Sequence, residues 1–360
     1  MPFQIIRNDI TRVKADAIVN TANPKPRYAA GTDRAIYTAA GAEQLLEQRR
    51  RIGDIAPGQA AYTDAFALQA KYIIHTVGPE WRGGESGERD LLRSCYEKSL
   101  ALAAELKCSS IAFPLISSGV YGFPGDVALN IALSEIGKFL LTHEMEVFLV
   151  VLSRETLELS QTLTGDIEEY IDEHTADRLL RTEYGGKPDA RRIRRERFQE
   201  RASADSASFL YDEWDIQPSE VTNKEIPIMS PVPSEPRRKS LEELLNDTGE
   251  TFQQRLLRLI DESGMDDVTV YKKANIDRKV FSRIRSKENY RPKKKTALAF
   301  AIALELDLPT TQDLLSRAEI AFSPSSRFDL IITYFIDHKI YDIFKINATL
   351  FRYGEQTLGE

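Results

Sequence analysis

Cysteine is scarce in this 360-residue chain, which has only Cys95 and Cys108. Their spacing fits no metal-ligand pattern, and two thiols make no disulfide framework. Reduced thiols, a cytoplasmic setting and no metal are expected. No apolar run approaches the roughly 20 residues that cross a bilayer, so no membrane span is predicted. The opening MPFQIIRNDI has no basic segment leading into an apolar one, and no secretory signal is read from it. The formal net charge is -7, which argues against a wholly basic nucleic-acid binder but leaves local basic patches open. What is plentiful is ordinary: 42% hydrophobic and 29% charged residues, as in a folded soluble protein. At this length two domains with connections are expected.

Short apolar runs rich in β-branched residues lie at 3–6, 17–19, 72–77, 110–116 and 147–152. Each reads as a buried strand. Amphipathic helical patterns lie between them at 35–51, 89–107 and 125–143, and a last helix over roughly 155–178 is expected to close this part. Strands alternating with helices predict an α/β domain over 1–180. From 181 to 244 the character changes. The charge run RRIRRERF and the segment SPVPSEP predict a linker, partly disordered, with the aromatic-acidic patch FLYDEWDI inside it. From 245 to 360 every pattern is helical, beginning with TFQQRLLRLIDESG and its terminal Gly264, which predicts an all-α domain.

Three strand ends in the first domain carry polar groups. RNDIT follows the first strand, and its Asp9 either caps a turn or accepts hydrogen bonds from a ligand. IVNTAN runs off the second strand at the carboxyl edge, where open α/β sheets bind ligands, and an amide there can donate and accept at once. Asp33 stands ten residues beyond Asn23, near the start of a helix, where it also complements the helix dipole. PLISSGVYGFPGD follows the fourth run. Its Ser117, Ser118, Gly119 and Gly122 are small enough for backbone N–H groups to approach a phosphate, just ahead of a helix N-terminus. His75 lies within a strand and reads as a buried structural histidine.

Taken together these segments resemble a macrodomain, the ADP-ribose-binding module. The resemblance rests on DIT (9–11), DAIVNTAN (16–23), DRAIYTAAG (33–41), GQA (58–60), KYIIHTVGP (71–79), SCYEKSLALA (94–103) and SIAFPLISSGVYGFP (110–124), in family order. It implies a mixed sheet sandwiched by helices, a linker and an all-α domain after it, an ADP-ribose or ADP-ribosylated partner, and no cofactor. It also implies roles. Asp9, with Ile10 beside it, corresponds to the adenine-binding aspartate. Asn23 meets the distal ribose, and Asp33 orients or activates a water there, making Asn23 and Asp33 the catalytic pair. Asn20, Gly31, Arg34 and the loop Ser117, Ser118, Gly119, Val120, Tyr121 and Gly122 complete the ligand-binding set. Ser153 stands where the family often places an aromatic over adenine.

The first loop departs from the family. Where hydrolytic members carry a run of glycines and then Val-Asp-Gly, this chain has Tyr28, Ala29, Ala30 and Gly31 and then Thr32, Asp33 and Arg34, and Tyr37 replaces a histidine. Alanine disfavours positive φ and holds backbone away from closest approach. Tyr28 adds a ring, and Arg34 a guanidinium suited to a diphosphate. Two readings stay open: a hydrolase of ester-linked ADP-ribose or acetylated ADP-ribose, and a non-catalytic ADP-ribose sensor serving as a transcriptional regulator or interaction module.

In the second domain, eleven basic residues between Tyr271 and Lys295 face only Asp277 and Glu288. The segment 268–286 resembles a helix-turn-helix, with Arg278, Lys279, Ser282, Arg283 and Arg285 as candidates for nucleic-acid contact. DNA, or another protein, is the partner implied for 268–295.

Overall fold

The computed structural model describes residues 2–154, 157, 159, 163–172, 249–287 and 289–359. The expected linker and its motifs lie outside the described residues. Its α/β part contains β1 (Phe3–Arg7), β2 (Ala17–Thr21), α1 (Thr32–Ala40), α2 (Ala42–Ile52), β3 (Ala60–Asp64), β4 (Tyr72–Thr76), α3 (Glu88–Glu105), β5 (Ser110–Pro114), α4 (Gly125–Thr142) and β6 (Glu146–Val151). The strands form a six-stranded sheet in the order β1-β6-β5-β2-β4-β3. Pairing is parallel throughout except for β3, which runs antiparallel to β4. This is the α/β mixed sheet with helices that was expected, followed by a largely helical C-terminal region.

Strand alternation decides what reaches the site. Side chains one apart on a strand point to opposite faces. Ala17 and Val19 join the core against α3 and α4, while Ile18 joins the core against α1 and α2. Asn20 therefore faces the α1–α2 layer, as Ile18 does. The register sets Asn20 directly beside His75 of β4.

Two expectations need correcting. The helix predicted over 35–51 is two helices, because Gly41 sits at φ 106 between Ala40 and Ala42 and ends the first. Strand β3 was not expected: its sequence AAYTD is half exposed, as befits an antiparallel edge, and shows no apolar run.

The C-terminal part is built from α5 (Phe252–Ser263), α6 (Asp267–Lys273), α7 (Arg278–Ser286), α8 (Lys294–Ala303), α9 (Leu308–Ser316), α10 (Arg327–Asp337) and α11 (Ile343–Arg352). All of these but α8 have side-chain N-caps: Thr251 forms a capping box with Gln254, and Asp266, Asp277, Asp307, Ser326 and Asp342 each accept from first-turn N–H groups. Helix α8, apolar from Ala297 to Ala303, runs through the middle of this core. Residues 163–172, within the stretch expected to be helical, are helical, and Leu163 and Ile167 pack into this C-terminal core.

The two parts are in contact. Phe3 of β1 sets its ring edge-on against Phe344 of α11 at 5.1 Å between centroids. Asn275, in the turn between α6 and α7, accepts from the Phe3 N–H at 2.9 Å and donates to the Phe3 carbonyl at 3.0 Å. Tyr271 and Lys272 reach Glu144 and the Leu141 carbonyl at the end of α4.

Candidate active site

At the carboxyl edge of β2 the chain turns through Asn23 and Pro24. Arg49 of α2 lies beneath this turn, only 1% exposed, and donates to the carbonyls of Gly53, Asn23 and Pro24. The Asn23 side chain is used within its own loop, accepting from the Lys25 N–H at 3.1 Å and from Arg27 Nε at 3.4 Å.

Gly31 precedes α1 at φ 74 and ψ -140, a conformation open essentially to glycine alone, and it turns the chain so that Asp33 points inward. Asp33 is 2% exposed. Its Oδ1 accepts from Asn20 Nδ2 at 2.7 Å and its Oδ2 accepts from the Ala29 N–H at 2.5 Å. Burial raises its pKa, opposed by the Asn20 and Ala29 donors and by the positive charge of Arg49. The Ala29 N–H thus serves the aspartate of its own loop. Over it, the Tyr28 ring lies 5.0 Å from that of Tyr37. Burial first, and the Asp33 charge second, push the Tyr37 phenol up to about 12. Arg34 is exposed at the rim.

Behind Asn20 stands His75, buried within its strand as expected. His75 is fully buried; its Nδ1 lies 3.1 Å from Asn20 Nδ2 and its Nε2 3.0 Å from Thr63 Oγ1 on β3. Burial pushes its pKa down to about 3, so the ring is neutral. No motif spacing signals this contact, because it depends on the β2–β4 register.

The second loop follows β5. Ser117 takes φ 64, and its buried hydroxyl has no hydrogen-bond partner. Ser118 Oγ donates to the Leu115 carbonyl at 2.9 Å, the Gly122 N–H to Gly119 O at 2.9 Å, and the Phe123 N–H to Ser117 O at 3.1 Å. Val120 stands 87% exposed at the tip. Tyr121 is half-buried, and its phenol is raised by burial and then by the charge of Asp33. On the same carboxyl edge, after β1, Asp9 caps the short turn 10–12, its Oδ1 accepting from Thr11 N at 2.9 Å and Thr11 Oγ1 at 2.8 Å, while Ile10 is buried against Ile36 and Tyr37 of α1. Ser153 follows β6, next to the exposed Leu152.

The basic segment is elsewhere. Arg278, Lys279, Ser282, Arg283 and Arg285 are all exposed along α7. Arg285 pairs with Asp267, while Lys272, Lys273, Arg291 and Lys294 pair with Glu144, Glu305, Glu319 and Asp329. Much of the apparent excess charge is therefore neutralised within the chain.

With this geometry in place, comparison with known proteins gives the class. Residues 19–132 match the Macro domain family. A Macro domain-containing protein of Methanosarcina mazei is 46% identical over 156 residues, covering 43% of this chain and 83% of that protein. The O-acetyl-ADP-ribose deacetylase of Citrobacter rodentium is 46% identical over 166 residues, covering 45% of this chain and 94% of that protein. A solved Oceanobacillus iheyensis macrodomain with ADP is 36% identical at a TM-score of 0.42, over 46% of this chain and 92% of the other. The chain belongs to the Macro domain family.

Proposed function

We propose that the α/β part binds ADP-ribose and hydrolyses a bond at its distal ribose, with an acetyl ester as the leading substrate. The observation that carries this reading is Asp33, a buried carboxylate held by the Asn20 amide and the Ala29 N–H in the loop after β2. Its raised pKa makes it a stronger base than an ordinary carboxylate, and it is ionised above that value. In the proposed step it orients a water against the acyl carbon. The ester C–O bond breaks, acetate leaves, and the ribose oxygen regains a proton. Hydrolysis of an ADP-ribosyl group at the anomeric carbon would use the same water through an oxocarbenium-like state. The names of the relatives similar to this chain, O-acetyl-ADP-ribose deacetylases, favour the ester. In this assignment Asp9 and Ile10 receive the adenine, Asn20 holds Asp33, Asn23 and Tyr121 flank the ribose, and Gly31, Arg34 and 117–122 receive the diphosphate.

Calorimetry with ADP-ribose, followed by turnover of O-acetyl-ADP-ribose on the same sample, tests the reading. Asp33→Ala is expected to lower turnover by about 100-fold or more, in the range of lost general-base catalysis, with a far smaller loss in affinity. Tight binding without turnover in the unmutated protein leaves the sensor reading instead.

The exposed row on α7 supports a second proposal, that this face meets the phosphates of a nucleic acid. Salt-dependent binding to duplex DNA, weakened by the pair Arg278→Ala and Arg283→Ala, is the expected result. No binding at low salt excludes it and leaves a protein-contact role.

A further inference from the structure

We propose that His75, held by Thr63, is a positioning residue: it aims the Asn20 amide so that Nδ2 donates to Asp33. The inference rests on the proposed role of Asp33. Asn20 Nδ2 lies 2.7 Å from Asp33 Oδ1 and 3.1 Å from His75 Nδ1, so its two hydrogens have one acceptor each. The carbonyl of the same amide is buried with no partner. The amide is thus oriented by what its nitrogen gives rather than by what its oxygen receives. Turned over, it would set its oxygen against the Asp33 carboxylate.

That orientation depends on the imidazole tautomer. Nδ1 accepts only when the proton sits on Nε2, and Nε2 lies 3.0 Å from Thr63 Oγ1, an oxygen able to accept it. A proton on Nδ1 would instead attract the amide oxygen and swing the nitrogen away from Asp33. The Thr63 hydroxyl, on an edge strand, is the Nε2 partner in the state that leaves Nδ1 free to accept from Asn20, and so links β3 to the Asp33 carboxylate on α1. The other charged or titratable groups around Asp33 are Arg49 on α2, Tyr37 on its own helix and Tyr121 in the loop after β5. None of them donates a hydrogen bond to the carboxylate.

Two substitutions separate positioning from packing. His75→Asn keeps an acceptor near the Nδ1 position and loses the Nε2 donor. His75→Gln keeps a polar group near Nε2 and loses the Nδ1 acceptor. Each removes the ring, so a role in packing alone affects both alike. The direct readout is the Asp33 carboxyl carbon, titrated by NMR in the full-length protein. In H75Q its midpoint is expected to rise by about one pH unit, the tenfold that a hydrogen bond to a charged group typically contributes. In H75N it is expected to stay near that of the unmutated protein. The acid limb of kcat for acetyl-ester hydrolysis should move with it, while KM changes little. If the His75 variants do not fold, Thr63→Val and Thr63→Ser replace them, with a rise expected for T63V and none for T63S. An Asp33 midpoint that is equal in the two paired variants overturns the proposal. Should Asp33→Asn retain full turnover, the catalytic reading of Asp33 fails instead, and the NMR titration still decides whether His75 governs its carboxylate.

Discussion

At the residue scale, the site sets two groups against their own burial. His75 is the clearer case, because its folded pKa of about 3 lies below its ordinary 6.5. Between those values the unfolded chain binds a proton that the folded one refuses. The stability is therefore present above about 6.5 and is lost as pH falls toward 3, at about 1.4 kcal/mol per pH unit for this group. His75→Gln should flatten that part of the pH profile, and urea midpoints at pH 7 and pH 5 for both proteins measure it; parallel profiles would show that the ring is not buried neutral. Asp33 has the opposite sign. Its pKa is raised, so ionising it in place costs stability as pH rises through the folded value. Its spacing from Asn23 was legible because both lie on one local segment. Its partner Asn20 and the His75 behind it were not, since that contact needs the strand register.

At the scale of elements, the helices and the buried parallel strands could be read from apolar periodicity and local punctuation. The edge strand β3 could not, because Ala60, Ala61 and Tyr62 bury little surface and its pairing comes from β4. The loops of the site belong to the same scale. Gly78 follows β4, and a Cβ there would meet Ser117 Oγ at 2.2 Å and Ile116 Cγ2 at 2.9 Å. Gly78→Ala should displace Ser117, destabilise the protein by about 1–3 kcal/mol and weaken ADP-ribose binding together. Gly119 has nothing within 4 Å and no positive φ. Gly119→Ala should leave the melting temperature unchanged yet weaken ADP-ribose, because the added methyl meets the ligand alone. Equal affinity for G119A and unmutated protein would remove Gly119 from the diphosphate site.

For the whole molecule, the informative residue is Asn275. It lies in the turn between α6 and α7, inside the segment 268–286 that resembles a helix-turn-helix. In the structure it is fully buried at φ 53, and its amide completes both backbone hydrogen bonds of Phe3 on the outermost strand of the sheet. Asparagine tolerates this left-handed conformation and brings a donor and an acceptor, a combination glycine lacks. The contact joins residues 272 apart in sequence, so no local pattern foretold it. It also seals the exposed edge of β1, which would otherwise offer unpaired N–H and C=O groups to another chain. Asn275→Gly isolates the amide, because glycine keeps the backbone angle without strain. Two buried backbone groups then lose their partners, at a cost of roughly 2–4 kcal/mol. The Phe3–Phe344 ring contact continues the same seam, so the loss should loosen α11 as well as the turn. A fall of several degrees in the calorimetric melting temperature, with earlier amide exchange at Phe3 and along α6, is the expected outcome. If N275G behaves as the unmutated protein in both measurements, the helical part is held to the sheet by its aromatic contacts and not by this amide.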